Sequence, residues 1–404
     1  SAEIYKDGKI ATNENLPALI ALSEKLKGYQ QRIHELPQMP SEIILDTIIY
    51  KKISKENLAL VLGRMNLKTH VKYTTKDLIA GINRAMGTNL FDEITYNYFI
   101  KDENKLGVTI FGHERAKNQL NTSVHYDTYR GVGIIFNYTA RNVLARASRL
   151  LITADIAEQP KVRINYQKNF GKNRDWWWSS ELYGALLRQE IYFNGRASDN
   201  VLYNSVEFNN EINRNINSLK SYFGYGLHYQ YANLKPKYDR EYNPNSIDIR
   251  NYSLNNIELN MHYSYNDMDK VFFAENGTIL KANVTRSLFT DVYTSLNDPD
   301  QTHISGSTNG YTKFGFSFEK RALLRKKITG IIGFDSYFIF EDKLSDDQIS
   351  FSDFGYAAKY FIGGIIPSSG SNRFSFPGLH EDELNVSQYM GLKIASQINL
   401  MGKI

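Results

Sequence analysis

The chain has 404 residues, 48 Lys and Arg against 43 Asp and Glu, a net charge of +5 and no cysteine. Near balance of charge, with no long basic run, argues against a nucleic-acid footprint, and the missing cysteine excludes a disulfide scaffold, a thiolate metal site and a thiol nucleophile. No apolar stretch approaches the roughly 20 residues that a spanning helix needs. A mean hydropathy of −0.43 with 28 Tyr and 22 Phe suits strands whose side chains alternate between polar and apolar.

Residues 1–40 read as a linker with one helix. Asn13-Glu14-Asn15 precedes a run in which Leu19, Leu22 and Leu26 recur at helical spacing, and Pro17 suits a first turn. Leu36-Pro37 and Gln38-Met39-Pro40 then break the chain. Ser1-Ala2-Glu3-Ile4-Tyr5-Lys6 has no charged segment followed by an apolar one, so no export signal is visible.

Residues 41–116 predict a small α+β domain of order β-α-α-β-β. Ile43-Ile44-Leu45-Asp46-Thr47-Ile48-Ile49-Tyr50 is the first strand. Ser54 is placed to cap a helix that reaches Arg64, with Leu58, Leu60, Val61, Leu62 and Met65 for its buried face. Thr74 or Thr75 caps the next helix, Asp77 suits its dipole, Leu78, Ile82 and Met86 mark its apolar face, and Gly87 ends it. Residues 91–100 and 105–112 form a hairpin. Its three strands leave two sheet edges, at 43–50 and 91–100, where an extended client or linker segment would add.

Residues 117–404 alternate with period two, segment after segment. Phe223, Tyr225 and Leu227 oppose Gly224, Gly226 and His228; Ile257, Leu259 and Met261 oppose Glu258, Asn260 and His262; Phe314, Phe316 and Phe318 oppose Lys313, Gly315, Ser317 and Glu319. Turn residues separate the segments at Asn194-Gly195, Asn243-Pro244-Asn245, Glu275-Asn276-Gly277 and Asn297-Asp298-Pro299-Asp300. Alternation alone fits a soluble sandwich or a membrane barrel, which turn opposite faces outward. The number of segments, polar faces rich in Gly, Asn, His and mixed charge, and aromatic clusters such as Trp176-Trp177-Trp178 favour the barrel, with the three tryptophans as an interfacial girdle. The expected fold class is therefore mainly β, a transmembrane antiparallel barrel behind one α+β domain. Outer-membrane lipids are the expected surroundings and a second copy of the chain a candidate partner.

A β-α-α-β-β domain directly before such a barrel resembles a polypeptide-transport-associated (POTRA) domain, as found in the superfamily of BamA, TamA and FhaC. Lys359-Tyr360-Phe361-Ile362-Gly363-Gly364 is similar to the stretch that enters that superfamily's plug loop, and Phe376-Pro377-Gly378-Leu379 stands where it carries a V-R-G-F/Y motif. Residues 353–400 then read as strand, in-folded loop (363–384) and strand. Asp46-Thr47-Ile48-Ile49-Tyr50, Gly81-Ile82-Asn83-Arg84-Ala85-Met86-Gly87-Thr88, Tyr129-Arg130-Gly131-Val132-Gly133 and Ile212-Asn213-Arg214-Asn215-Ile216-Asn217 resemble the C-terminal half of the patatin-like, type Vd-like outer-membrane proteins of Bacteroidota. The resemblance implies about sixteen strands in a complete barrel, a POTRA domain in the periplasm, an upstream lipase and a chain incomplete at both ends. Its alternative is an assembly or lipid-handling factor like BamA or TamA. Pro377 replaces the family arginine, which leaves Glu381 and Asp382 against a lumen Lys or Arg as candidate anchors, beside burial of Phe374, Phe376 and Leu379.

The chain carries no catalytic site by sequence. No G-x-S-x-G elbow occurs; Gly306-Ser307-Thr308-Asn309-Gly310 has threonine at its centre, and Asp7-Gly8-Lys9 lies outside any strand-turn-helix context. Eight scattered histidines form no zinc spacing, so no metal or cofactor is expected. His228 and His262 are expected as hydrogen-bonding lumen residues.

Overall fold

A computed structural model describes residues 2–27, 42–102, 105–127, 131–171, 174–193, 196–217, 220–237, 249–298, 300, 302–348, 359–364 and 373–399. The junction expected at 36–40, the turns at Asn194-Gly195 and Asn243-Pro244-Asn245, the strand start at 353–358, the middle of the expected plug loop and the terminal 400–404 lie outside these residues. Two units divide the chain, 1–43 and 44–404.

The first unit holds two helices, α1 (Ala2–Glu14) and α2 (Leu16–Leu26), where the sequence predicts a linker and one. The polar run Asn13-Glu14-Asn15 does not cap the second helix. The Asn15 amide donates to Ala11 O at 3.2 Å and the Leu19 amide to Asn15 O at 3.0 Å, so the ladder continues across the junction. Pro17 falls in the first turn of α2, where no amide hydrogen is needed. Asp7-Gly8-Lys9 therefore sits inside α1, with Thr12 Oγ1 donating to Gly8 O.

The α+β layer runs β1 (Ile43–Lys51), α3 (Lys55–Met65), β2 (Lys72–Tyr73), α4 (Thr75–Met86), β3 (Phe91–Asp102) and β4 (Lys105–Glu114). A two-residue strand thus interrupts the expected β-α-α-β-β order. The sheet order is β2-β1-β4-β3, with β1 parallel to β4 and β3 antiparallel to it. Because β2 takes part of the flank of β1, β3 is the longer open edge. Leu60, Val61 and Met65 of α3 and Leu78, Ile82 and Ala85 of α4 are buried with Leu45, Ile94, Val108 and Ile110 of the sheet, while Leu62 is exposed. Ser54 accepts from the Asn57 amide, and Thr74 and Asp77 form a reciprocal capping box. Asn66, not a glycine, takes the left-handed cap of α3, and Gly87 ends α4 in a right-handed conformation.

Next come β5 (Asn118–Asp127), β6 (Gly131–Arg141), β7 (Ser148–Ile156), β8 (Lys161–Phe170), β9 (Trp176–Phe193), β10 (Arg196–Asn217), β11 (Ser221–Pro236), β12 (Ile249–Asn266), β13 (Gly277–Leu296), β14 (His303–Ser307), β15 (Tyr311–Arg325) and β16 (Ile328–Glu341). The short β17 (Tyr360–Gly363), β18 (Arg373–Ser375) and β19 (Leu384–Val386) precede β20 (Gln388–Ile398). Strands β5 to β16 and β20 form one 13-stranded sheet whose pairs are all antiparallel; β14 pairs only with β13. The sheet curls so that Tyr183, Tyr203, Ala232, Tyr252, Val292, Tyr311 and Ile339, from seven strands, share one buried cluster with Tyr360 and Phe361 of β17.

Polarity across this sheet is inverted relative to a soluble protein. Tyr225, Leu227, Ile257, Leu259, Met261, Phe314 and Phe316 are exposed, and Phe223 and Phe318 half-buried, on the face the alternation assigns outward. Their neighbours His228, Asn256, Glu258 and Lys313 are buried inward. One bulge keeps the faces in phase: Ile257 opposes Phe289 while Glu258 opposes Ser287, so Leu288 is extra and points out. Thr285 and Ser287 before it, and Thr290, Val292 and Thr294 after it, all stay buried. Strand β10 has 22 residues, about 73 Å at roughly 3.3 Å per residue, so it reaches well past a hydrocarbon layer that 9–11 tilted residues would cross.

Candidate functional site

The candidate site is the concave face of the barrel and the loop folded against it. Hairpin direction defines two ends. The β6–β7, β8–β9, β10–β11, β12–β13 and β15–β16 turns share the end that carries the α+β layer. Arg64 of α3 donates to Asn169 Oδ1 at 2.9 Å, Asn142 Nδ2 donates to Asn57 Oδ1 at 2.8 Å, and Arg141 donates to Asn89 O and Ala116 O. Burial pulls the Arg64 guanidinium down to about 10, against the upward pull of the Asp175 carboxylate. The layer is thus seated on the barrel turns through buried polar bonds.

Three tryptophans open β9 at this end, but alternation separates them. Trp176 and Trp178 face outward. Trp176 stacks near Phe170, meets Phe223 edge-on and lies under Arg214, and Trp178 Nε1 donates to Asn210 Oδ1. Trp177 pairs with Asn213 and Asn169, both buried inward, and its ring meets Tyr222 at 5.1 Å. The three tryptophans therefore do not share one face, because adjacent strand residues point to opposite faces.

The loop builds its own sheet, order β18-β17-β19, inside the curl. All four residues of β17 are buried. Phe374 is the main anchor, its ring 4.2 Å from Tyr337, 5.5 Å from Tyr360 and 5.6 Å from Tyr389. Phe376, expected to bury, is exposed, and Leu379 is half-buried, because Pro377-Gly378 turns the chain there with Gly378 at φ +98°. Gly363 and Gly364 serve space, not a positive φ. A Cβ on Gly363 would stand 2.2 Å from Asp382 N and 2.4 Å from His380 O, and one on Gly364 2.8 Å from Leu379 O. The backbones can approach so closely only without side chains, which permits the bonds Gly364 N to His380 O and Phe376 N to Gly363 O.

Asp382 has a cationic partner within the loop. It pairs with Arg373 of the loop itself at 2.9 Å, and that guanidinium also lies 5.4 Å from the Phe361 ring centre. Arg373 supplies the cation that Pro377 lacks, four positions earlier. Sequence reasoning missed it as an ion-pair partner because the motif position drew attention to 377. Glu381 lines a separate cavity of about 500 Å³ on the far side of the loop, with Glu158, Arg188, Glu190 and Lys237, where His380 stacks on Tyr192.

Beneath β17 lies a cavity of about 480 Å³. Glu258 is its most tied residue: Tyr311 Oη donates at 2.6 Å, Lys313 Nζ at 2.8 Å, and His228 Nδ1 lies at 2.9 Å. Asn256 donates to Tyr311 Oη and accepts from Thr290. His262 bonds Asn213 at 3.0 Å, so both expected lumen histidines face inward and bond polar neighbours. Among the described residues no group of His, Asp or Glu is arranged to hold a metal. No helix among the described residues is long and apolar enough to cross a membrane.

No family model matches the chain, and no curated protein matches it. Among solved structures the fold is similar to BamA from Haemophilus ducreyi lacking POTRA domains 1-3, at 14% identity and a TM-score of 0.53, over 80% of this chain and 59% of that one. It is also similar to CdiB from Escherichia coli, at 10% identity and a TM-score of 0.53, over 90% and 63%. This chain spans about three fifths of the length of either. The likeness is one of fold: a large antiparallel β-barrel preceded by a POTRA-like α+β layer.

Proposed function

We propose that this chain is an outer-membrane barrel with its α+β layer in the periplasm as a POTRA domain, and that it anchors and exports a passenger polypeptide. The inverted polarity of the sheet carries this reading. Burying Glu258, Lys313 and His228 while exposing Leu227, Met261 and Phe316 is favourable only where the outer surroundings are hydrocarbon. The in-folded β17–β19 loop acts as the plug of the resting barrel, and the open edge β3 receives an extended client or linker segment. The sequence resemblance favours a patatin-like lipase as passenger, with this chain supplying no catalysis. Likeness to BamA favours a second reading, an assembly or lipid-handling factor. Loss of a surface passenger with normal levels of other barrels supports export in a deletion strain; the reverse supports assembly.

Because the chain has no cysteine, single nitroxide labels test the embedding cleanly. In reconstituted protein, labels at Leu227, Met261 and Phe316 are expected to relax with oxygen and one at Asn283 with a water-soluble nickel chelate. Chelate access at all four sites would refute a lipid-facing surface.

A further inference from the structure

We propose that the rim of the barrel at the α+β end, between β13, β15 and β16, binds the phosphate headgroup of an anionic phospholipid. This rests on the reading of the outward face as lipid-facing. Period two carries that face along β15 from Phe314, Phe316 and Phe318 to Lys320, Ala322 and Leu324, just before the turn Arg325-Lys326-Lys327. Lys320 and residues 322 to 327 are exposed. Leu324 is 67% exposed and lies over Gly330 on the outward face of β16, where Ile332 is exposed as well. An exposed apolar side chain, continuous with the apolar band, thus stands among four cations.

Depth places these cations at the headgroups. Phe316 is the middle of the three outward phenylalanines of β15. The stretch from Phe316 to Leu324 spans about 26 Å at roughly 3.3 Å per residue, or about 20 Å of height on a strand tilted by about 40°. Half of a hydrocarbon layer is about 15 Å. Lys320 starts about 10 Å from Phe316 by the same measure and reaches the boundary along its own stem.

The four cations are available. None forms an ion pair among the described residues, and Lys320 Nζ donates only to Thr278 Oγ1, at 3.0 Å. The carboxylates of the neighbouring β12–β13 turn are engaged: Asp267 accepts from Tyr265 Oη and the Thr278 amide, Asp269 accepts from the Glu275 amide, and Glu275 pairs with Lys270. The opposite rim of the same face is built differently. There Arg286 is held by both carboxylate oxygens of Asp342, and the exposed loop after β16 carries Asp346 and Asp347. Cations without counter-ions at one rim only fit an anion supplied by the surroundings of that end. Leu324 selects the source, since it gains from an acyl chain beside the headgroup and nothing from a free phosphate.

Because the chain has no cysteine, a single bimane at A322C reports this rim and one at L227C a distant part of the outward face. The full chain is reconstituted at low salt in vesicles of phosphatidylcholine and phosphatidylglycerol, with bromine on the acyl chains of one lipid or the other. Quenching at 322 is expected to show phosphatidylglycerol favoured about fivefold, and quenching at 227 no preference. K326Q with K327Q should bring the preference at 322 to within about twofold, and K326R with K327R should keep it. K343Q, at the opposite end, should leave it unchanged. Equal quenching by the two lipids at 322, or a preference that survives K326Q with K327Q, overturns the headgroup site. Should that double variant lose its folded gel mobility, R325Q alone is read by the same criteria. Inorganic phosphate that removes the preference at the concentration of the lipid overturns the assignment to lipid. Absence of quenching by either lipid at both positions would instead refute membrane embedding, and this inference with it.

Discussion

Arg373 Nη1 and Asp382 Oδ2 stand 2.9 Å apart with 9% and 5% of their side chains exposed. They close the loop on itself across nine residues, over the face of Phe361. A buried pair of this kind is costly to break from one side, because the remaining charge keeps its desolvation penalty without its partner.

Arg373→Ala is therefore expected to destabilise the seated loop by about 3–5 kcal/mol, and Arg373→Met with Asp382→Leu by much less. Planar-bilayer recording reads the difference. The unaltered protein and the double variant should show small, rare openings, and the single variant frequent larger ones. Large steady conductance in the unaltered protein would remove the plug from the reading.

Gly363→Ala should unseat the same loop for a different reason, since the new methyl would meet backbone atoms of 380–382 that cannot rotate away. The expected outcome is rapid tryptic cleavage after Arg373, which stays protected in the unaltered chain. Gly378→Ala is the contrast: nothing lies within 4 Å of its Cβ position, and only the positive φ opposes it, a cost of about 1 kcal/mol.

On the outward face, Phe316→Lys should cost about 2–4 kcal/mol if it lies near the bilayer middle. Folded and unfolded barrels migrate differently on unheated gels, and the variant should lose the folded band or melt from it at a lower temperature. Lys substituted at Thr285, on the inward face, should assemble at near-normal yield.

The capping box of α4 gives a pH prediction. Hydrogen bonds from the Thr74 backbone and hydroxyl hold the Asp77 carboxyl below the usual carboxylate range. Its contribution is therefore fully present above the unfolded value of about 3.9 and is lost as pH falls through the lower folded value. Thr74→Ala should cost about 1 kcal/mol. Asp77→Asn should flatten the part of the acid limb due to this group in circular-dichroism melts of the protein between neutral pH and strong acid.

The seat of the α+β layer is also open to test. Arg64→Ala leaves the Asn169 amide oxygen without its donor and should weaken the contact by about 1–3 kcal/mol. Spin labels at Glu56 and Arg146 should report a broader distance distribution in the variant than in the unaltered chain.

Much of this architecture is legible in sequence because a strand has period two. Leu259 and Met261 can be put on the face opposite Glu258 and Asn260 with no knowledge of any partner strand. The caps at Ser54 and Thr74 are legible for a similar reason, since each is a bond between residues three apart. Helix α1 is hidden in the sequence because Asn13-Glu14-Asn15 reads as a break before the next helix whether or not the ladder runs through it. Trp176-Trp177-Trp178 looked like one girdle until the pairing of Trp177 with Asn213 showed that the triplet is split.

What tertiary structure alone decided lies where distant segments meet. Asp382 has several candidate cations in sequence, and only the parallel pairing of β17 with β18 brings Arg373 to it. The carboxylates of Glu207, Glu211 and Glu258 come from two strands, and a third lies between those and Lys313. Their convergence depends on how the sheet curls and on the bulge at Leu288, which keeps β13 in phase. Local backbone sterics and periodicity act over a few residues and so are written in the sequence. The pairing of charges across a lumen depends on register and curvature accumulated over more than a hundred residues, and those are set only when the whole sheet forms.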